Sequence, residues 1–138
     1  MTEITFLGGC REVGRMGILV DSGKERFLLD YGVRVEDMGV PLEPGFPIKS
    51  LFLSHAHLDH SGNIPTLYKK GWKGNVYATP TTFELCSLLL RDSLKVQERK
   101  GLIPKYLPYD LAKMERLKKN TALGKMIGFE SANIEFRT

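Results

Sequence analysis

Histidine, cysteine and tryptophan are scarce here: three, two and one among 138 residues. Long apolar runs are absent. None approaches the ~18 residues needed to cross a membrane, so the sequence predicts no spanning segment. Met1-Thr2-Glu3-Ile4-Thr5-Phe6 is acidic and passes straight into a strand-like pattern, which excludes a signal peptide. Cys10 and Cys86 form no C-x-x-C pair, and two such thiols point to a reducing cytoplasm. A small buried role is expected for both. No repeat, low-complexity segment or flexible linker interrupts the chain, and its length predicts one domain.

What is present is concentrated. All three histidines fall within His55-Ala56-His57-Leu58-Asp59-His60. An H-x-H-x-D-H match arises by chance in roughly one chain of this length in ten thousand. Imidazole and carboxylate are the donors that hold zinc and similar ions. His55 and His57 are two apart, so they cannot share a helix face, which needs separations of three or four. Ser50-Leu51-Phe52-Leu53-Ser54 before them reads as a buried strand. Ser61-Gly62-Asn63 then punctuates, and Pro65 suits the first turn of a helix over 64–70. The cluster is therefore expected on a strand-to-helix loop, where α/β architectures place ligand chemistry.

Charge is uneven. Residues 91–125 carry ten Lys or Arg against four acids, a surplus of six, while the remainder sums to −2. A basic stretch suits a polyanionic partner; a solvated helix face is the alternative. Only Tyr106 and Tyr109 interleave, so no stacking platform for single strands is indicated.

Residues 3–7, 16–21 and 26–30 read as an antiparallel meander. The Gly- and Pro-rich stretch 35–49 is a loop, and 76–79 a short strand. Thr81-x-x-Glu84 fits a capping box before a helix over 82–99, with Gly101 as its C-terminal glycine. A basic helix is predicted over 110–119, and Asn133–Arg137 reads as a strand just starting.

The histidine cluster resembles the H-x-H-x-D-H motif of the metallo-β-lactamase fold superfamily. That resemblance implies two zinc ions, the first held by His55 and His57, the second by Asp59 and His60, with Asp59 and His60 in the catalytic set. Two such ions clamp the attacking and leaving oxygens of a displacement. Phe27-Leu28-Leu29-Asp30-Tyr31-Gly32 is similar to the family's first motif, in which the aspartate, here Asp30, supports the ligands from behind. Gly8-Gly9-Cys10-Arg11-Glu12-Val13-Gly14-Arg15 resembles the opening of the β-CASP branch of nucleic-acid processing nucleases. That branch includes the endonuclease subunit of the eukaryotic cleavage and polyadenylation specificity factor, its archaeal relatives, and ribonuclease J.

The resemblance implies an α+β fold, the αβ/βα metallo-hydrolase sandwich. Only its N-terminal αβ half is expected here, a mixed or antiparallel sheet with helices on one face. Residues 1–138 would be the N-terminal part of such a domain, ending before the third metal motif. The exposed sheet face would then drive association, as a homodimer or with a complementary C-terminal chain. The expected activity of the complete protein is metal-dependent phosphodiester hydrolysis on RNA, with this portion inactive alone. A hydrolase of a small ester, thioester or lactam, and a non-enzymatic partner half, are the alternatives.

Overall fold

The computed structural model describes residues 1–137. Its centre is one six-stranded mixed sheet in the order β1-β2-β3-β4-β5-β6. Strands β1 (Glu3–Gly8), β2 (Gly17–Asp21) and β3 (Arg26–Tyr31) form the antiparallel meander that the alternation predicts. Parallel pairing then continues through β4 (Ser50–Phe52), β5 (Asn75–Ala78) and β6 (Lys118–Asn120). Helices fill the crossovers: α1 (Leu58–Ser61) and α2 (Ile64–Lys69) before β5, α3 (Pro80–Arg99) and α4 (Pro108–Leu117) after it.

Register explains the two faces. Leu28, Leu51 and Val76 are aligned across β3, β4 and β5 and are fully buried with Ile64, Leu67, Phe83, Leu90 and Met114 of the helices. Each large apolar side chain buried this way contributes roughly 1.5–3 kcal/mol. One residue earlier or later, Phe27, Phe52 and Tyr77 point to the other face. There Phe129 packs on all three, at ring separations of 5.0, 5.7 and 6.0 Å, and Phe136 lies 6.2 Å from Phe52. Phe129 follows β7 (Met126–Gly128) and Phe136 follows β8 (Asn133–Glu135), which pair as a separate antiparallel hairpin. The second face is thus covered over its centre, where the sequence implied helices on one face and nothing on the other. It stays open at β1, where Ile4 and Phe6 are 59% and 57% exposed.

Several boundaries differ from the sequence reading. The α3 cap is Thr79, whose hydroxyl accepts from the Thr82 N–H at 3.3 Å, and the helix starts at Pro80, so Thr81 is already inside it. Proline at the first helical position needs no N–H partner, which moves the start upstream. Likewise α4 starts at Pro108, with the Asp110 carboxylate accepting from the Leu107 N–H at 2.9 Å. It ends at Leu117, because Lys118–Asn120 leave the helix to extend the sheet beside β5. Trp72 is buried against Tyr68 and donates its indole N–H to the Ile48 carbonyl at 2.9 Å. No helix of the described residues is long and apolar enough to cross a membrane.

Candidate metal centre

Parallel strands β3, β4 and β5 direct their C-terminal ends to one edge of the sheet, the edge at which open α/β sheets bind ligands. The chain leaves β4 there. After Leu53, whose N–H still reaches the Tyr77 carbonyl at 2.9 Å, residues 54–57 turn out and α1 begins. His55, His57 and Asp59 each offer one ligand atom, and the three lie within 4.8 Å of one another. His60, on α1, is adjacent: its ring centroid is 3.9 Å from that of His55, and its Nε2 is 3.5 Å from Asp59 Oδ2.

The loop is held in place by its peptides. Met16 N–H donates to the Asp59 carbonyl at 2.8 Å and Val33 N–H to the Leu58 carbonyl at 2.9 Å. Gly32 N–H in turn reaches the Met16 carbonyl at 2.8 Å, so β2, the end of β3 and the histidine loop are laced together. Gly32 is needed here for room: a Cβ at this position would stand 1.7 Å from the Asp59 carbonyl oxygen. The Ser61 hydroxyl closes the loop from inside, donating to the carbonyls of Ala56 at 2.9 Å and His57 at 3.1 Å.

Asp30 lies behind the histidines. Ile18 pairs with Leu29 and Gly17 with Tyr31, so Asp30 is the unpaired residue of a β-bulge, at φ +57°. A bulge re-aims one side chain out of the strand alternation. The Asp30 carboxylate accepts from Ser54 N–H on Oδ1 at 2.7 Å. On Oδ2 it meets the Ser54 hydroxyl at 2.7 Å and His60 Nδ1 at 2.8 Å. Asp30 is 7% exposed. This hydrogen bond, together with the Asp30 charge, raises the His60 pKa above the ordinary histidine value despite partial burial. His55 moves the other way: burial is the main cause, helped by the neighbouring His60.

The glycine-rich segment 8–15 leads directly into Met16, whose N–H holds the loop. One carboxylate organises it. Glu12 accepts from Arg15 Nε at 2.6 Å and from Arg34 Nη1 at 2.9 Å, joining this segment to residues 33–40. The Arg15 hydrogen bond is the main reason the Glu12 pKa is lowered. Cys10 is exposed and Cys86 buried, so the small buried role holds for Cys86 alone; burial pushes the Cys86 thiol up to about 11.

Of the predicted site residues, then, His55, His57 and Asp59 converge, His60 joins them through Asp30 and Asp59, and Asp30 stands behind. Ser54 escaped the sequence reading, because a serine at a strand end reads as punctuation. Its only signal was its place directly before the first histidine. Two imidazoles and a carboxylate form a donor set that fits zinc or a similar borderline ion.

Comparison with known proteins agrees with this geometry. A family model described as the metallo-β-lactamase superfamily matches residues 13–125. The chain is 40% identical over 127 residues to the transcription termination factor FttA of Methanosarcina mazei, an alignment covering 86% of this chain and 20% of that protein. It is 36% identical over 124 residues to the FttA of Thermococcus kodakarensis, covering 79% and 19%. It therefore spans about one-fifth of the length of these curated relatives. Among solved structures, MEM-A1, a subclass B3 metallo-β-lactamase from a soil metagenome library, aligns with a TM-score of 0.57 at 21% identity, over 97% of this chain and 48% of that one. A diphosphatase of the PhnP family aligns with a TM-score of 0.57 at 14% identity, over 98% and 57%. At those identities the likeness shows the fold. Fold, histidine motif and matched family model agree that this chain belongs to the metallo-β-lactamase superfamily.

Proposed function

We propose that the chain supplies the histidine-bearing part of a metal-dependent phosphodiesterase that acts on RNA, of the β-CASP type. The observation that carries this is the convergence of His55, His57 and Asp59 in front of the Asp30 carboxylate, in a chain whose relatives are named transcription termination factors. His55 and His57 would hold one zinc ion, and Asp59 and His60 would contribute to a second. Such ions supply Lewis-acid polarisation of a phosphoryl oxygen and a water acidic enough to attack near neutral pH. Asp59 and His60 form the catalytic pair in this reading. Asp30 fixes the His60 ring, and the peptides of Met16 and Val33 fix the loop that carries all four donors.

Charge supports a polyanionic substrate. Arg91 is engaged by Glu115 at 2.8 Å, and Lys113 stands 3.9 Å from Asp110. Lys95, Arg99, Lys100, Arg116 and Lys119 are exposed and make no ion pair among the described residues, so they are available to phosphates. We place the protein in the cytoplasm, where RNA and reduced thiols are found together.

Four donors are fewer than two zinc ions require, and two cations a few Å apart repel strongly without a bridging carboxylate. The 138-residue chain by itself is therefore expected to bind one ion weakly or none and to leave RNA uncut. Ile4 and Phe6 on the open sheet face suit a second apolar surface, either another copy or a complementary chain. The decisive experiment uses a longer protein containing this chain, stripped of metal and reloaded, with labelled RNA. Cleavage is expected only after reloading. Full-rate cleavage by the stripped protein would overturn the proposal, and two tight zinc sites in calorimetry of the 138-residue chain would overturn the single-ion expectation.

A further inference from the structure

Ser54 touches three members of the candidate site. Its hydroxyl lies 2.7 Å from Asp30 Oδ2, 3.0 Å from His55 Nδ1 and 3.4 Å from His60 Nδ1. A serine hydroxyl has one proton to donate and two lone pairs that accept. An ionised carboxylate only accepts. At 2.7 Å, two oxygens facing each other with lone pairs alone would repel, so the Ser54 proton must point at Asp30 Oδ2. His55 Nδ1 then meets a lone pair of the Ser54 oxygen, and the 3.0 Å contact is a hydrogen bond only if Nδ1 carries the proton. In a neutral ring that leaves Nε2 as the free donor atom. His60 reaches the same state by another route, because its Nδ1 is 2.8 Å from the acceptor-only Asp30 oxygen.

We infer that Ser54 is a positioning residue that relays the Asp30 carboxylate to His55 and fixes the His55 ring in the Nδ1–H tautomer, with Nε2 presented as ligand. One carboxylate thereby sets two imidazoles, His60 directly and His55 through one hydroxyl. The role of that free Nε2 rests on the metal-binding reading above; the tautomer itself does not.

The test is a long-range proton–nitrogen correlation spectrum of the metal-free, nitrogen-15-labelled 138-residue chain, at a pH where both rings are neutral. His55 and His60 are both expected as Nδ1–H. In Ser54→Ala, His55 should lose that state while His60 keeps it, and Ser54→Thr, which retains the hydroxyl, should restore it. A His55 ring found as Nε2–H in the unmodified chain overturns the inference even if no variant folds. So does a His55 ring that stays Nδ1–H in Ser54→Ala. Zinc titration separates the two readings. Ser54→Ala should weaken binding by roughly 10- to 100-fold, the usual cost of removing a group that orients a ligand, and Ser54→Thr should recover it. If the unmodified chain shows the expected tautomer and binds no divalent ion, the inference on Ser54 is supported and the metal reading is decided by the stripped and reloaded longer protein.

Discussion

Gly32 marks the point where two stretches of backbone pass too close for any side chain. Its φ is not in the left-handed region, so the requirement is space alone. Gly32→Ala must push the Asp59 carbonyl, and with it a ligand candidate, out of place. The expected cost is about 3 kcal/mol, at the upper end for forcing atoms into a packed site, together with loss of zinc binding. Urea unfolding and calorimetry read the two effects separately. Gly101→Ala is the contrast: its glycine has φ +65° and open space around it, so only backbone strain of about 1–2 kcal/mol is expected. Asp30→Asn keeps the size of the side chain and removes the charge that holds His60. It should lower zinc affinity by roughly 10- to 100-fold with little change in fold. Much of this was legible in the sequence. The donor types and spacing marked His55, His57, Asp59 and His60 as a metal-type cluster, and the supporting role of Asp30 came from the resemblance of its segment to the family's first motif. The bulge that turns Asp30 toward Ser54 was not legible, because a run of apolar residues does not show which one its neighbour strand skips.

Glu25 ties down the tip of the hairpin of β7 and β8 through Ser131. Ser131 donates its N–H and its hydroxyl to Glu25 Oε2 at 2.9 and 2.7 Å, while Lys49 stands 3.4 Å from the other oxygen. The Ser131 hydroxyl bond leads the causes that lower the Glu25 pKa below its ordinary 4.5. A lowered folded value means the tie is fully present above 4.5 and is lost as the pH falls through the lower folded value. Acidification should therefore loosen the hairpin first, seen as a fall in amide protection at 126–135 relative to the intrinsic exchange rate. Glu25→Gln should show low protection already at pH 7, with little further fall on acidification. Phe129→Ala tests the packing instead, and should cost about 2 kcal/mol, less than a fully buried phenylalanine because this one is partly exposed. Strands β6 and β7 escaped the sequence reading for the same reason. Lys118-Lys119-Asn120 and Met126-Ile127-Gly128 lack the apolar alternation that marks a half-buried strand, and only pairing with β5 and β8 makes them strands.

Across the whole molecule, the sheet is covered by helices on one side and only in part by the hairpin on the other. Ile4 and Phe6 remain as the open margin, on β1, the edge strand of the sheet. Edge strands with apolar side chains invite association. The isolated chain should self-associate with rising concentration, and Ile4→Ser with Phe6→Ser should return it toward monomer in sedimentation velocity. No change between the two would show that this margin is not adhesive. The lacing of the histidine loop has a different kind of consequence. The bonds that tie it to the rest of the fold come from the Met16 and Val33 peptides, the Ser61 hydroxyl and the Asp30 carboxylate, and among the described residues none comes from the His57 ring. Folding and ion preference are therefore separately adjustable: a softer donor placed at position 57 would favour softer ions, on a scaffold that does not register the exchange.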